Sequence, residues 1–313
     1  MEQKNHKSYP CMIGTWSWGT GMNGSQIVFG KKYSKEHLME TFKIAYDCGF
    51  KMWDTAEVYG MGSAEKILGN CIEAVSDIFL STKHLPGKKY KEGEVHTSVK
   101  NSLERMGVEK IDLYWLHQPY CLEENLSEVV SCLKEGIILQ VGLSNCNLKE
   151  VKQAYNFLKN HGFKLSAVQN HFSLLSMGEE QQKIIKFCKE KEMQYYGYMV
   201  LEQGALSGHY SAQHPFPFFS MRGFSFSKKK FIKIEKLLEY QKKLADTYQV
   251  DTSQIPIAWA VSKGIIPIVG LTKPGHAKEL AKGMEVKLTS QEVEKLEKYA
   301  KESGVLCKGS WEQ

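Results

Sequence analysis

The chain has 313 residues, of which 42% are hydrophobic and 24% are charged, and its 41 Lys and Arg against 35 Asp and Glu give a net charge of +6. A high apolar content with a small net charge per residue excludes intrinsic disorder as the main state. A membrane-spanning helix is excluded as well, because the most apolar run, Ile265–Leu271, is far shorter than the roughly 20 residues that a span requires.

Eight short apolar runs, rich in residues that favour β-strands, alternate with longer amphipathic stretches. Several runs are apolar at nearly every position, which is typical of parallel strands covered by helices. The predicted strands are Met12–Trp16, Phe50–Asp54, Ile78–Thr82, Ile111–Leu116, Leu139–Leu143, Ala167–Asn170, Gln194–Met199 and Ile265–Val269.

The amphipathic stretches between these runs predict helices. The first of them ends at Gly49, a residue type that commonly terminates helices, and three others end at glycine in the same way. The predicted helices are Lys35–Cys48, Ser63–Cys71, Glu92–Met106, Asn125–Lys134, Leu148–Asn160, Glu179–Lys191, Lys230–Tyr248, Ser253–Ser262, Ala277–Lys282 and Gln291–Glu302.

Eight strands, each followed by at least one helix, predict an α/β fold: a single (β/α)₈ TIM barrel over residues 1–313, with long loops at the C-terminal face of the strands. Strand order is not visible in sequence, so an open doubly wound sheet is the alternative. Gly19–Tyr33, His209–Ser227 and Gly304–Gln313 fit neither helix nor strand. The second of these is rich in phenylalanine, and its rings could either bind a ligand or pack the loop against the barrel.

The cysteines, the first residues and the distribution of charge predict the cellular location of the protein and the kind of partner it has. The eight cysteines are scattered without a CxxC pair, which predicts free thiols. The first ten residues are polar and no apolar core follows them, so we expect no signal peptide and a cytoplasmic location. The only dense basic run, Lys228–Lys230, predicts a solvated helix start, and we expect neither nucleic acid nor membrane as a partner.

A polar side chain ends nearly every apolar run. Any one of these residues could be a helix cap or an ordinary rim residue. In a barrel, however, the C-terminal strand ends carry the chemistry, so together they predict a functional site. They are Asp54, Lys83, His117, Ser144, Asn145, Gln169, Asn170 and Tyr198.

Four residues predict a proton-transfer group. Tyr59 lies in the loop that leaves the same strand as Asp54. A free tyrosine has a pKa of about 10, and we expect the ammonium of Lys83, held by Asp54, to lower it. His117 is expected to hydrogen-bond a substrate oxygen beside the tyrosine. Taken singly, each has a structural interpretation as a packing ring, a rim cation or a rim histidine; the combination favours chemistry.

Five motifs stand at consecutive strand ends. They are WDTAEVYG (Trp53–Gly60), LSTK (Leu80–Lys83), DLYWLHQP (Asp112–Pro119), VGLSN (Val141–Asn145) and VQN (Val168–Asn170). In this order and at this spacing they resemble the aldo-keto reductase superfamily, and the match extends from Gly14 to Pro274. The resemblance implies a (β/α)₈ barrel that binds a nicotinamide dinucleotide, usually the phosphorylated form, without a Rossmann fingerprint. It implies reversible hydride transfer between that cofactor and an aldehyde or ketone.

The resemblance also assigns the catalytic roles. Tyr59 would be the general acid for carbonyl reduction and the base for alcohol oxidation, and Lys83 and Asp54 would tune it. His117 would orient and polarise the carbonyl. Family members that reduce steroid C=C bonds carry Glu in place of this histidine, so His117 favours a carbonyl substrate.

The cofactor contacts carry over position by position. Ser144, Asn145 and Gln169 match residues that hydrogen-bond the nicotinamide carboxamide, and Tyr198 matches the aromatic residue that stacks under its ring. The segment Tyr198–Gly208 resembles the loop that covers the pyrophosphate, with a Met-Val pair in place of the usual Ser-Pro. The implied cofactor-binding residues are Thr15, Trp16, Asp54, Ser144, Asn145, Gln169, Tyr198, Leu201, Gly204, Leu206, Gly270, Lys273, His276 and Glu279.

The largest departure from the family concerns the 2′-phosphate of the adenosine. The family usually holds it with a Lys or Arg, then an Arg, then a Glu-Asn pair. Here Lys273 could meet the phosphate, whereas His276 could do so only when protonated, and it lacks the bidentate fork of arginine. Leu280 follows Glu279 and cannot hydrogen-bond the adenine. We expect NADP(H) more than NAD(H), with a weakened preference; use of NAD(H), or of both cofactors, is the alternative.

Aromatic residues predict an apolar substrate pocket and therefore an apolar or aromatic carbonyl or alcohol. We expect a monomer or a weak homo-oligomer. The candidate rings are those of Trp16, Trp18, Trp53, Trp115 or Tyr120, the phenylalanine-rich loop and Trp311. Trp53 and Trp115 lie within predicted strands, so the alternative is that they belong to the core.

Two alternatives belong to other function classes. A barrel metallohydrolase could bind zinc through His84, His117, His171 and Asp54. The HxH pair typical after the first strand is missing, however, and Tyr59 would have no role, so we expect no metal site. The other alternative is a cofactor-binding redox sensor or regulatory subunit with little turnover, as in the potassium-channel β subunits of this superfamily.

Overall fold

The computed structural model describes residues 8–26, 30–217 and 221–309. Eight parallel strands form one closed barrel in which each strand pairs with the next in sequence and the last pairs with the first. The closure confirms the predicted TIM barrel and excludes an open sheet. The strands are Met12–Gly14 (β1), Met52–Asp54 (β2), Phe79–His84 (β3), Leu113–Leu116 (β4), Val141–Ser144 (β5), Leu165–His171 (β6), Gln194–Tyr198 (β7) and Ile266–Gly270 (β8).

The strands differ from prediction mainly at their ends. β1 is three residues long, because a 3₁₀ turn over Trp16–Trp18 follows it directly. β3 extends beyond its predicted end to His84, so Lys83 lies within the strand. Both differences set the positions of side chains at the C-terminal rim.

Helices surround the barrel, and most lie close to their predicted ranges. The prediction of one helix over Lys230–Tyr248 was wrong, since two helices meet at Ile234. The segment His209–Ser227, predicted to lack helix, also contains a short one. The helices are Lys35–Asp47, Ser63–Ile72, Glu94–Met106, Leu122–Glu135, Leu148–Asn160, Glu179–Glu190, Met221–Ser225, Lys228–Lys233, Glu235–Tyr248, Gln254–Ser262, Pro274–Gly283 and Ser290–Glu302.

Helix ends follow local chemistry. The Asn147 side chain accepts a hydrogen bond from the Glu150 amide (3.0 Å), and Glu150 accepts one from the Asn147 amide (2.8 Å). This capping box satisfies amides that have no partner within the helix. Gly107 and Gly136 end their helices with φ of 67° and 74°, a conformation that glycine adopts without strain.

The apolar core has two parts. A small cluster fills the barrel interior, where Trp115 lies over Gly142 so closely that a Cβ on the glycine would come within 2.3 Å of the indole. A large cluster packs between barrel and helices and includes Trp18 and Trp53, whose rings are 5.5 Å apart. These three tryptophans are fully buried, so their prediction as substrate-pocket residues was wrong. Apolar periodicity cannot separate a core ring from a cavity ring.

Within the described ranges, none of the helices combines the length and apolar character needed to cross a bilayer.

Candidate active site

The C-terminal strand ends surround a cavity of about 610 Å³, which falls in the size range of ligand pockets. Parallel strands bring their carboxyl ends to one rim, so residues far apart in sequence meet there. The strand-end and adjacent residues that line it include Asp54, Tyr59, His117, Ser144, Asn145, Gln169 and Tyr198.

A buried ion pair stands at the centre of this rim. The Lys83 ammonium donates to an Asp54 carboxylate oxygen and to the Thr55 carbonyl (2.7 Å). The other Asp54 oxygen accepts hydrogen bonds from Ser81 Oγ (2.7 Å) and from Gln169 Nε2 (3.4 Å). Lys83 has no exposed surface and Asp54 is 2% exposed. Both charges are therefore paired and held at fixed positions, as buried charges must be.

Tyr59 sits above this pair. The Lys83 ammonium lies 5.0 Å from the centroid of the Tyr59 ring. The ring stacks on Trp16 at 5.9 Å and meets the edge of His117 at 6.0 Å. The structure thus brings together the four residues predicted to transfer a proton.

The pKa of Tyr59 shifts against the predicted direction. Burial, and next the negative charge of Asp54, raise the pKa of Tyr59 well above its usual value. Burial also lowers the pKa of Lys83, although the Asp54 carboxylate opposes this. Because Asp54 neutralises the ammonium, the pair offers the phenolate little net positive charge. The expected lowering was wrong, and Tyr59 is held in its protonated form, which is the form that a general acid requires.

His117 is neutral. Burial, and next the positive charge of Lys83, lower the pKa of His117 to about 3. Its Nδ1 is buried without a hydrogen-bond partner, so Nε2 is the nitrogen turned to the cavity that the residue lines. A neutral imidazole with its proton on Nε2 can donate a hydrogen bond to a substrate oxygen. Asn145 Nδ2 fixes the adjoining backbone by donating to the His117 carbonyl (2.9 Å).

Tyr198 presents a fixed ring to the cavity. Its hydroxyl donates to Asn145 Oδ1 (2.6 Å), and its ring stacks on His171 at 5.7 Å and 17°. His171 Nε2 is 2.8 Å from Glu202 Oε1, and Ser173 Oγ donates to the same oxygen. This buried support for Tyr198 was not predicted from sequence; an acidic residue in an otherwise apolar loop was the available signal.

The loop after β7 carries a run of left-handed residues. Met199, Glu202 and Gln203 have φ of 61°, 47° and 55°, although none is glycine. Such conformations are strained and persist when surrounding contacts fix them, as those of Glu202 do here. The loop turns Leu201 and Gly204 towards the cavity.

Several predicted cofactor residues do not line the cavity. Thr15 is buried, and its Oγ1 donates to the Asp54 carbonyl (3.1 Å). Leu206 has no exposed surface. Glu279 pairs with Lys282 (3.1 Å) on the helix Pro274–Gly283.

The far wall of the cavity is formed around the start of the helix Pro274–Gly283. Gly270 and His276 line it, and the exposed Lys273 caps the helix. Burial, and next the positive charge of Lys273, lower the pKa of His276. Sequence reasoning missed other residues that line the cavity, which lie in loops or, for Arg222, in the short helix Met221–Ser225. They are Asn23, Ser25, Lys31, Tyr33, His209, Tyr210 and Arg222.

Of the predicted aromatic pocket, Trp16 lines the cavity, whereas Tyr120 lies outside its lining. In the phenylalanine-rich loop, Phe216 and Phe226 are buried and pack on Phe231. Those two rings therefore pack the loop to the barrel. Phe224 is 70% exposed and does not line the cavity. Phe218, Phe219 and Trp311 lie outside the described residues.

The metallohydrolase alternative finds no support. No group of three or more His, Cys, Asp or Glu side chains in the described part of the chain could hold a metal ion. Two of its candidate ligands have other partners, since His84 Nδ1 is 2.7 Å from Glu57 and His171 bonds Glu202.

Comparisons with known proteins agree with the geometry. The model of the Aldo/keto reductase family matches residues 10–301. The chain is 28% identical to the chloroplastic pyridoxal reductase of Arabidopsis thaliana, over 94% of this chain and 84% of that protein. It is 27% identical to an aldo-keto reductase of Schizosaccharomyces pombe named with NADP(+), over 89% and 86%.

Solved structures share the fold. The glycerol dehydrogenase from Gluconobacter oxydans gives a TM-score of 0.78 at 22% identity, over 93% of this chain and 90% of that one. An aldo/keto reductase from Klebsiella pneumoniae, solved with NADP and acetate, gives a TM-score of 0.71 at 21% identity, over 93% and 91%.

Proposed function

Since the chain belongs to the aldo/keto reductase family, whose members are oxidoreductases that use nicotinamide cofactors, we propose that it reduces an aldehyde or ketone to an alcohol by reversible hydride transfer, with Tyr59 as general acid. The observation that carries this proposal is the assembly of Tyr59, His117 and the Asp54–Lys83 pair on one wall of one cavity.

The residues around this wall fit a nicotinamide. The Tyr198 ring lines the cavity and is fixed by stacking on His171 and by the hydrogen bond from its hydroxyl to Asn145, which suits stacking on a nicotinamide. Ser144, Asn145 and Gln169 offer amide and hydroxyl groups that would bind the carboxamide. When bound, the reduced cofactor supplies the hydride, and this stacking would fix the face from which it leaves.

The proton comes from this chain. Protonated Tyr59 would give its phenolic proton to the carbonyl oxygen as the carbonyl carbon is reduced, and neutral His117 would donate a hydrogen bond to the same oxygen. The phenolate that results would be unfavourable in this buried site beside Asp54, which favours its reprotonation before the next turnover. Alcohol oxidation would run through the same groups in reverse.

We further propose NADP(H) as the preferred cofactor and an apolar or aromatic carbonyl as the substrate. His276 lines the wall where a 2′-phosphate would bind, Lys273 immediately precedes the helix there, and one relative is named with NADP(+). Trp16 and Val58 supply apolar surface beside Tyr59.

The test needs no knowledge of the substrate. The purified protein is titrated with NADPH and, separately, NADH, following the quenching of tryptophan fluorescence, and a panel of aldehydes and ketones is then assayed by loss of reduced-cofactor absorbance. We expect binding of a reduced cofactor and turnover of at least one carbonyl. Absence of binding would overturn the proposal, and binding without turnover across the panel would indicate a sensor.

A further inference from the structure

The loop that carries Tyr59 is hydrogen-bonded to the neighbouring strand β3 along its length. The Thr55 amide donates to the Ser81 carbonyl (3.0 Å), and the Thr55 carbonyl accepts from the Lys83 ammonium (2.7 Å). The Glu57 amide then donates to the Lys83 carbonyl (3.2 Å). Tyr59 follows two residues later in the chain, so Glu57 joins the loop to β3 close to the phenol.

The Glu57 side chain adds three hydrogen bonds to this backbone contact. One carboxylate oxygen lies 2.7 Å from His84 Nδ1 and accepts from the Leu85 amide (2.8 Å). The other oxygen accepts from Ser98 Oγ on the helix Glu94–Met106. Within the described part of the chain, His84 Nε2 is buried without a hydrogen-bond partner, so the ring proton lies on Nδ1 and His84 donates to the carboxylate.

These bonds connect the loop to rigid elements on both sides of the catalytic rim. The Tyr114 hydroxyl of β4 donates to Ser98 Oγ (2.9 Å), and the His117 amide donates to the His84 carbonyl (2.8 Å). The loop of Tyr59 is therefore joined to two strands and a helix. A side chain whose partners lie on strands and helices holds a loop more precisely than one whose partner is solvent.

Glu57 does not line the cavity, so its effect on a reaction there would be indirect. A general acid must come within hydrogen-bond reach of the atom that it protonates, and a misplacement of roughly 1 Å can cost about 10²-fold in rate. We propose that Glu57 is the positioning residue for Tyr59, because its carboxylate holds the loop on β3 and on the helix Glu94–Met106. This inference rests on the proposed function, in which Tyr59 is the acid.

The first test compares two substitutions of Glu57. Glu57→Ala removes all three side-chain bonds, and we expect it to lower kcat by about 10- to 100-fold while the dissociation constant for the reduced cofactor stays within about twofold. Glu57→Gln keeps an oxygen for His84 and Leu85 and gains an amide that can donate to Ser98, so kcat should stay within about threefold. Steady-state kinetics and fluorescence titration give the two quantities.

Glu128→Ala is the matched control. Glu128 is half-buried like Glu57, and its carboxylate also anchors a loop, but it does not line the cavity and the amides that it binds do not either. They are those of Gly93 (2.8 Å), Val95 (2.9 Å) and His96 (3.2 Å). Loss of this anchor should leave kcat within about twofold, because it does not hold Tyr59.

A double variant separates positioning from a general structural role. If Glu57 acts through Tyr59, Glu57→Ala should cause no further loss of the residual turnover in Tyr59→Phe, since the effects of residues that act as a unit are not additive. An equal fold loss in both backgrounds would overturn the inference, as would equal losses in Glu57→Ala and Glu57→Gln. If Glu57→Ala does not fold, Ser98→Ala removes one of the same bonds from outside the cavity, and its smaller loss of kcat should also vanish in Tyr59→Phe.

The outcomes distinguish this inference from the proposed function. A fully active Glu57→Ala enzyme beside an inactive Tyr59→Phe enzyme would overturn the inference alone. An active Tyr59→Phe enzyme, or an unaltered protein without turnover, would overturn the proposed function and the inference with it.

Discussion

The two ends of the cavity are built in different ways. At the catalytic end, Asp54 and Lys83 lie on strands, are buried, and have fixed partners. At the end beside the helix Pro274–Gly283, where the adenosine is proposed to bind and which is called the adenosine end, Lys31, Lys273 and His276 lie on loops or at a helix start and are exposed to solvent. The proposed chemistry thus uses charges placed by the barrel, while the proposed cofactor selection uses charges that water can reach.

This difference sets the expected size of each effect. Removing one partner of a buried ion pair leaves a charge without compensation and costs about 3–5 kcal/mol. An exposed charge interaction is worth about 0.2–1 kcal/mol, because water and salt screen it. Substitutions at the catalytic end should therefore have large effects on turnover and stability, and those at the adenosine end should change affinity ratios by smaller amounts.

The largest effect is expected for Tyr59→Phe. The ring keeps its place between Trp16 and His117, but it can no longer donate a proton. Turnover in carbonyl reduction should fall by about 10²- to 10⁴-fold, while the dissociation constant for the cofactor stays within about twofold. Steady-state kinetics and fluorescence titration measure the two quantities. Tyr120→Phe, outside the cavity, is the control, and an active Tyr59→Phe enzyme would remove the proposed acid.

The second effect concerns stability. Lys83→Met should lower the free energy of unfolding by about 3–5 kcal/mol, because Asp54 stays buried without its cation. Equilibrium unfolding in urea measures this loss. The double variant with Asp54→Asn should recover part of it, whereas Lys273→Met at the exposed end should stay within about 0.5 kcal/mol of the parent. Equal losses in the two lysine variants would contradict the contrast between the ends.

The third prediction follows from the neutral state of His117. The pKa of His117 falls from 6.5 to about 3 on folding, so between these pH values the unfolded chain binds a proton at His117 and the folded chain does not. The stability contributed by neutral His117 is complete above pH 6.5 and is lost as the pH falls towards 3, by at most about 1.4 kcal/mol per pH unit. The free energy of unfolding, measured in urea at pH 7, 6 and 5, should decline less steeply with falling pH in His117→Gln than in the unaltered protein. Identical slopes would mean that His117 is protonated in the folded protein.

The smallest effect is expected at the adenosine end. His276→Arg places a permanent cation with a bidentate fork at an exposed position, so NADPH should tighten relative to NADH by about 1 kcal/mol, or about fivefold. The ratio of the two dissociation constants measures it. Lys278→Arg, on the same helix but outside the cavity lining, is the control. An unchanged ratio for His276→Arg would place the 2′-phosphate elsewhere.

The catalytic end could be predicted from sequence because strand geometry carries the information. Nearly every apolar run ends in a polar residue, and parallel strands in a barrel bring those ends to one rim. Asp54, Lys83 and His117 therefore meet once their strands are recognised. The spacing of the motifs adds Tyr59.

The adenosine end could not be predicted in the same way. Lys31 lines the cavity from the segment after β1, and His37 bonds the Thr272 carbonyl, a contact between residues 235 positions apart that no local pattern reports. The direction in which the pKa of Tyr59 shifts could not be predicted from sequence either, because it depends on how deeply the ring is buried and on where Asp54 lies. Burial and the neutralising Asp54 carboxylate outweigh the nearby ammonium.

The complete burial of Lys83 makes its amine a reporter of transient opening. A reagent that acylates amines meets the surface lysines at once, but it can reach Lys83 only when the rim of the barrel separates. The rate at which Lys83 is acylated, measured by mass spectrometry of its peptide, therefore reports how often the barrel rim opens. A ligand that stabilises the closed rim would slow the acylation of Lys83 without changing the acylation of the surface lysines.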